Sequence, residues 1–218
     1  MGEGGMGLKA AYAVRPVVIL VMLGALGLSG CATLNEAECR TGDWYTIGYE
    51  DGLQGQPVTR LASHRKACAK HGVQPDLAAY TAGRDAGLET YCQPHGGYWA
   101  GLRGSAYHGV CPAHLLDDFL PAYEYGRDIH ALESDARSER READRLYGEI
   151  RRLDEAIAQR EALLIAPGLR PHERADLLVE IKSLVRAQRA LEADIADRQG
   201  YAEALQYRAA DLRASSPY

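Results

Sequence analysis

The chain carries none of the commonest hydrolase signatures: there is no Gly-x-Ser-x-Gly, no His-Glu-x-x-His and no phosphate-cradling Gly-Lys-Ser/Thr. A Cys-x-x-Cys-His haem attachment is missing as well. Basic patches are absent from a chain of formal charge −5, which removes nucleic acid from the credible partners. No apolar run approaches the roughly 20 residues that a helix needs to cross a bilayer. The longest, from Val17 to Leu28, stops short of that at Gly30. The adjacent carboxylates Glu50-Asp51 and Asp117-Asp118 do not amount to an acid–base pair, because neighbours on a helix point apart. Asp117 and Asp118 are expected instead in the first turn of a helix that starts near Pro112.

What the N-terminus does contain is a leader. Lys9 and Arg15 precede the apolar run, and small residues follow it, the three parts of a secretory signal. Leu28-Ser29-Gly30-Cys31 resembles the lipobox of bacterial lipoproteins. That resemblance implies removal of residues 1–30 and acylation of Cys31. Each buried methylene of an acyl chain contributes about 0.8 kcal/mol, so two or three chains hold a protein at a membrane without any spanning helix. Ala32, in place of Asp, points to the outer membrane with the protein facing the periplasm.

The remaining chain divides by composition near Ile129-His130. Residues 31–130 hold every cysteine, Trp44, Trp99, Phe119 and all histidines but His172, whereas residues 131–218 are dominated by Ala, Leu, Arg, Glu and Asp. Mixed charge at that density reads as a solvated helical surface. With Cys31 acylated, Cys39, Cys68, Cys92 and Cys111 form an even set in a compartment that oxidises thiols. Four cysteines allow three pairings. Cys39 with Cys68 and Cys92 with Cys111 is the expected one, because each pair encloses one sub-module.

Within the cysteine-bearing part, Tyr-x-x-Gly recurs at Tyr45–Gly48, Tyr80–Gly83, Tyr98–Gly101 and Tyr123–Gly126, and the first two copies extend to Gly52 and Gly87. On a helix these positions share one face. The expected use is close packing, each ring over a glycine of a neighbouring element. Between Pro94 and Gly109 the glycines crowd together, and a loop or short hairpin is expected. Charge at Glu50, Asp51, Arg84 and Asp85 argues against a membrane-inserting glycine stripe.

Taken together, Glu38-Cys39-Arg40-Thr41-Gly42-Asp43-Trp44, the Gly48 to Gly55 glycines, His64-x-x-x-Cys68, Tyr80-x-x-Gly83, Tyr91-Cys92, Gly109-Val110-Cys111-Pro112 and Tyr123-x-x-Gly126 resemble a family of small proteobacterial envelope lipoproteins. That family is known only as a domain of unknown function. The resemblance spans roughly Cys31 to His130 and implies the lipoprotein address and a cysteine-stapled fold, with no catalytic residue to carry over.

Two chemical alternatives compete with a purely structural role. Cys92-Gln-Pro-His95 and Cys111-Pro-Ala-His114 are two Cys-x-x-His pairs able to close a tetrahedral zinc site. The oxidising compartment favours disulfides there, and Pro94 and Pro112 explain the spacing as turns. A cysteine nucleophile with His64, His71 or His108 as base is the second, and nothing singles out one cysteine.

From Leu132 the apolar or small positions follow steps of three and four through Ala136, Ala143, Leu146, Ile150, Leu153, Ile157 and Leu164, with Glu139 and Arg160 interrupting the series. After Pro167-Gly168-Leu169-Arg170-Pro171 the rhythm resumes at Leu177, Ile181, Leu184, Gln188, Leu191, Ile195, Ala202, Leu205, Ala209 and Leu212. These are heptad seams. They predict an antiparallel coiled-coil hairpin over residues 131–218, with helices of about 34 and 42 residues and a length of roughly 50 to 60 Å. Glu139 should then meet Arg198, Gln188 should lie opposite Gly148, and Gly200 should bend the second helix.

The expectation is therefore a mainly α protein: a leader over 1–30, a disulfide-stapled globular domain of short helices and Gly-rich turns over 31–130, and a helical hairpin over 131–218. Its expected role is a non-enzymatic, lipid-anchored envelope lipoprotein, structural or protein-binding, free of cofactors and metals. The bilayer would be one partner, through Cys31, and a second copy or another envelope protein the other, through the hairpin. The alternative is a periplasmic enzyme or zinc protein centred on Cys92, His95, Cys111 and His114.

Overall fold

Helix starts are written into the sequence as short polar caps. In the computed structural model, which describes residues 33–218, Asn35 opens α1 (Glu36–Thr41) with a capping box, accepting from the Glu38 amide while the Glu38 carboxylate takes the Asn35 N–H. Asp43 and Asp76 cap α2 (Trp44–Leu53) and α4 (Leu77–Tyr91) by accepting from the Thr46 and Ala79 amides. Between them lies α3 (Arg60–Ala69). Pro94 and Pro171 stand at the first turn of α5 (Pro94–Leu102) and α7 (Pro171–Ala214), where a missing N–H costs nothing. The remaining helix, α6, runs from Ala113 to Leu164. No strand occurs among the described residues. The leader and Cys31 lie outside the described residues.

The glycines of the Tyr-x-x-Gly copies lie against backbone, and not under aromatic rings as expected. A Cβ on Gly48 would run into the Tyr80 carbonyl, and one on Gly83 into the Tyr45 carbonyl; Gly52 and Gly87 meet the same obstacle at Arg84 and Tyr49. Contacts ascend together along both chains, so α2 and α4 are parallel, with matching copies of Tyr-x-x-Gly-x-x-x-Gly face to face. The second pair of helices repeats this arrangement. Gly101 faces the Tyr123 carbonyl, Gly126 faces that of Tyr98, and Gly97 abuts Phe119, which makes α5 and α6 parallel too. Only glycine permits such an approach. This corrects the loop expected from Pro94 to Gly109: Pro94–Leu102 is helix, because tertiary contact offsets the roughly 1 kcal/mol that each glycine costs a helix interior.

The head is thus two copies of one unit, each a pair of parallel helices with a return segment between them. Cys39, Tyr45 and Gly48 recur 53 residues later as Cys92, Tyr98 and Gly101. Cys68, Tyr80 and Gly83-Arg84-Asp85 recur 43 residues later as Cys111, Tyr123 and Gly126-Arg127-Asp128. The change of interval reflects the return segment, which is α3 in the first unit and a shorter loop in the second. Each unit is closed by its own disulfide, Cys39–Cys68 and Cys92–Cys111, with Cα–Cα separations of 5.4 and 5.6 Å, in the expected pairing. In the chain-entropy model, loops of this size stabilise a fold by about 3 kcal/mol each. Cys39, Trp44, Cys68 and Tyr80 fill the first core; Leu88, Tyr91, Phe119 and Tyr123 contribute to the second.

The hairpin follows as α6 and α7, of 52 and 44 residues. The first is far longer than expected, since it begins at Ala113 inside the head and passes through His130 without a break. The compositional boundary is therefore no linker: one helix belongs to both parts. Gly168 turns the chain at φ 88°, and the Arg174 guanidinium donates to the carbonyls of Leu164 and Ala166, which the end of α6 leaves free. Ala136, Ala143 and Leu146 on α6 and Ile195, Ala202, Leu205 and Ala209 on α7 are the buried seam. Glu139 meets Arg198 at 2.8 Å, as the fold-back requires.

One detail differs from expectation. Gln188 donates to Asp154 Oδ1 at 2.8 Å and does not lie against Gly148. Helical side chains lean toward their own N-terminus, which on α7 means toward the hairpin tip, where Asp154 stands. α7 is one continuous helix through Gly200, so a bend there would leave its hydrogen bonding unbroken. Its far end returns to the head: Tyr125 Oη donates to the Leu212 carbonyl at 2.8 Å, and Ala209 packs with Tyr98, Leu102, Ala122 and Ile129.

Candidate functional site

Asp51, His64 and Arg84 are the buried acidic or basic side chains among the described residues, and all three lie in the first unit. Asp51 comes from the end of α2, His64 from α3, and Tyr80 from the start of α4. His64 Nε2 stands 2.7 Å from Asp51 Oδ2, and Tyr80 Oη donates to that same oxygen at 2.7 Å. The other imidazole nitrogen, Nδ1, is 2.9 Å from Thr33 Oγ1. Arg84 Nε donates to the Gln56 carbonyl at 2.8 Å and thereby secures the loop that follows α2. Burial, and then the hydrogen bond to Asp51, hold the Tyr80 phenol well above its ordinary pKa, so it stays a donor.

A carboxylate, an imidazole and two hydroxyls in line have the parts of a proton relay. Access decides against that use. The side chain of His64 is 3% exposed, and both of its nitrogens are engaged by protein groups. A buried polar set that satisfies itself in this way holds segments together. Here it joins α2, α3 and α4 to Thr33, at the start of the described chain.

The second unit has no such network. Tyr107 occupies the place of His64, four residues before the cysteine, and Tyr123 the place of Tyr80. Tyr123 Oη donates to the Ser105 carbonyl at 2.8 Å and accepts from the Tyr107 N–H at 3.1 Å. A tyrosine that serves its own loop in one copy therefore serves a buried carboxylate in the other.

The chemical alternatives lose their ligands. Cys92 Sγ is bonded to Cys111 Sγ, so neither supplies the thiolate that a Cys2His2 zinc site needs. His95 lies edge-on to Trp99 at 5.9 Å, and His114 stands at the surface 3.8 Å from Glu89. With Cys39 and Cys68 also joined, none of these four cysteines is a free nucleophile for His64, His71 or His108. His71 instead lies 3.6 Å from Glu36, whose carboxyl is held below its usual range by Arg40 first and His71 second. Asp117 and Asp118 fall beyond the first turn of α6, because the helix begins at Ala113. Cys31, the expected lipidation residue, lies outside the described residues.

Sequence reading missed the network because its members come from four separate segments. The available signal was positional: His64-x-x-x-Cys68 against Tyr107-x-x-x-Cys111 shows where the two units differ.

These features define a helical head of two disulfide-closed units carrying a helical hairpin. Residues 43–128 match the family model described as a protein of unknown function, DUF2799. The match begins at the Asp43 cap of α2 and ends at Asp128 of the second Gly-Arg-Asp, so it covers both parallel helix pairs and leaves the hairpin out. No curated protein and no solved structure matches the chain.

Proposed function

We propose that this chain is a membrane-anchored cell-envelope lipoprotein of the proteobacterial outer membrane, a non-enzymatic structural or protein-interaction module facing the periplasm. The observation that carries the reading is the use of cysteine. Two disulfides account for four of the five cysteines, a pattern suited to an oxidising compartment. The fifth, Cys31, stands at the end of a lipobox-like tetrapeptide, where acylation would hold the chain at a bilayer. None of the helices in the described residues is long and apolar enough to cross a membrane. In this reading acyl chains on Cys31 supply the attachment.

In this reading the head is the base and the hairpin the reaching part. About 35 residues of α6 lie beyond His130, roughly 50 Å of helix. Near the tip, Leu163, Ile165, Leu178 and Val179 are exposed, Ile165 most of all at 82%. Those side chains support a role for the tip in binding a second copy or another envelope protein.

Cys31→Ser tests the anchor. The variant should leave the membrane fraction or accumulate with its leader attached, and unchanged fractionation would remove the lipoprotein reading. A photo-cross-linking residue at position 165 tests the interaction role in cells. Discrete adducts are expected, a dimer-sized one marking a second copy; a chain that stays uncross-linked would leave the hairpin without its proposed purpose.

A further inference from the structure

The seam of the hairpin changes character along its length. Toward the head it is built on alanine, and Ala136, Ala143 and Ala202 are buried together with the larger Leu146, Ile195 and Leu205 between them. Small residues let two helices approach closely enough to cover their own seam. From Ile150 outward the seam positions are mostly leucine and isoleucine, and Leu153, Ile157, Ile181 and Leu184 are only half-buried. Side chains of that size hold two helices apart and stay open at the flanks. The outer half of the arm is therefore unfinished as a two-helix structure.

One flank of that outer half carries a pattern of charge. The Gln188–Asp154 hydrogen bond lies on it, and the Arg160–Glu180 ion pair lies on the opposite flank. On α6, Arg151, Asp154, Ala158, Glu161 and Ile165 follow one another at steps of three and four, and on α7 Leu178, Lys182, Val185 and Arg189 do so too. Such steps place each set in one stripe, and both stripes run along the flank of Asp154. The two cross-helix contacts fix their register. From head to tip the flank reads Arg151 and Arg189, then Asp154, then Val185 and Ala158, then Lys182, then Glu161, and last the exposed Leu178 and Ile165. Nearer the head, Arg137, Arg145, Arg198 and Arg213 are all ion-paired, whereas Arg151, Lys182, Arg189 and Glu161 have no ion-pair partner among the described residues.

We infer that this flank is covered by the same flank of a second copy of the chain, lying antiparallel, so that the outer halves of two arms close into a four-helix bundle. Read in opposite directions about the level of Ile157 and Val185, the pattern is its own complement. Arg151 and Arg189 of one copy meet Glu161 of the other, and Asp154 meets Lys182. A twofold contact demands such self-complementarity, and an unrelated partner does not. Parallel arms would instead set Arg151 of one copy against Arg189 of the other, like against like. In the antiparallel pair Leu178 comes to the level of Ile150 of the other copy, which puts an exposed side chain over an open seam. About 30 Å of each arm overlaps, and the two heads stand at the far ends. The inference rests on the reading of the arm as a binding element and names what it binds.

The test is sedimentation equilibrium in the micromolar range on the chain from residue 31 onward, made without acylation and carrying Cys31→Ser so that no disulfide can join two molecules. A dimer is expected. Glu161→Arg, and the double change Arg151→Glu with Arg189→Glu, should each raise its dissociation constant by about tenfold or more, since each sets like charges together at both ends of the contact. All three side chains are exposed, so the single chain keeps its fold. Mixed in equal amounts, the two variants should pair as tightly as the unaltered chain, because every reversed charge then meets its opposite. An unaltered chain that stays monomeric, variants that associate as tightly as it does, or a mixture that does not recover would overturn the inference. A monomer here, with a discrete adduct of another size at position 165 in cells, would give the arm a different envelope protein and leave the proposed function standing. Anchoring is read separately, by fractionation of Cys31→Ser.

Discussion

The two units of the head share a plan and differ in what they are attached to. Both set matching Tyr-x-x-Gly helices side by side in parallel, and both are closed by a disulfide between the entries to those helices. The first places Asp51, His64 and Tyr80 in its interior and ends that line of hydrogen bonds at Thr33. The second replaces them with Tyr107 and Tyr123, which bond to the local backbone, and prolongs its second helix into the hairpin. The shared parts make the scaffold rigid. What differs assigns each copy a direction: one secures the N-terminal end of the chain, the other launches the arm.

The sharpest way to break the shared part is to fill a glycine. Gly83→Val and Gly126→Val should each destabilise the protein by more than about 4 kcal/mol, because the new Cβ would coincide with the backbone of the facing helix, which cannot give way. Chemical denaturation followed by circular dichroism measures this. Gly200 supplies the contrast, having open space around it on a continuous helix. Gly200→Ala should stabilise the hairpin by about 0.5–1 kcal/mol.

The disulfides come next in size. Replacing Cys39 and Cys68 by serine should cost about 3 kcal/mol, and replacing Cys92 and Cys111 a few tenths less, since the sequence separations are 29 and 19. Equal losses would leave the chain-entropy account unsupported.

The polar difference between the units is read by a pair of milder changes. Tyr80→Phe leaves a buried carboxylate short of a donor and should cost about 2 kcal/mol, against about 1 kcal/mol for Tyr123→Phe, whose partners are two backbone groups beside a loop and, at 3.4 Å, the Arg127 guanidinium. Tyr80 also predicts an alkaline limit. Its folded pKa is raised, so its contribution is complete below the unfolded value near 10 and is lost as pH rises above that, because the unfolded phenol ionises where the folded one does not. Wild type should therefore lose more stability than Tyr80→Phe on titration above about pH 10.

Smallest is the ion pair of the hairpin. Glu139 and Arg198 are each about a third exposed, and Glu139→Gln should cost under about 1 kcal/mol and less still in high salt. A larger loss would mean that polar pairing, and not the alanine-rich seam, sets the register of the arm.

Legibility in the sequence followed the range of the interaction. The heptad seam beyond Leu132 marked the hairpin because each buried position repeats its neighbour's signal, and Gly168 with Pro171 located its turn. Cysteine order was enough for the expected disulfides. The Tyr-x-x-Gly copies announced close packing but not its nature, since periodicity names a face without saying what meets it. The twofold plan of the head was present as Cys-x5-Tyr-x-x-Gly and Cys-x11-Tyr-x-x-Gly-Arg-Asp, each occurring twice. Two different intervals concealed it, because the return segment had changed length between copies. The network around Asp51 left the weakest trace: it is assembled from Thr33, Asp51, His64 and Tyr80, residues brought together only by the crossing of α2, α3 and α4. The helix through Pro94 was hidden for a related reason, its glycines being tolerated solely because α6 lies against them.

The proposal that the disulfide-closed head is anchored to a membrane is tested most directly by the intact mass of the protein extracted from membranes under non-reducing conditions. The account predicts a chain that begins at an acylated Cys31 and carries the mass deficit of two disulfides. An unacylated chain, a start elsewhere than Cys31, or free thiols at Cys39, Cys68, Cys92 and Cys111 would contradict it.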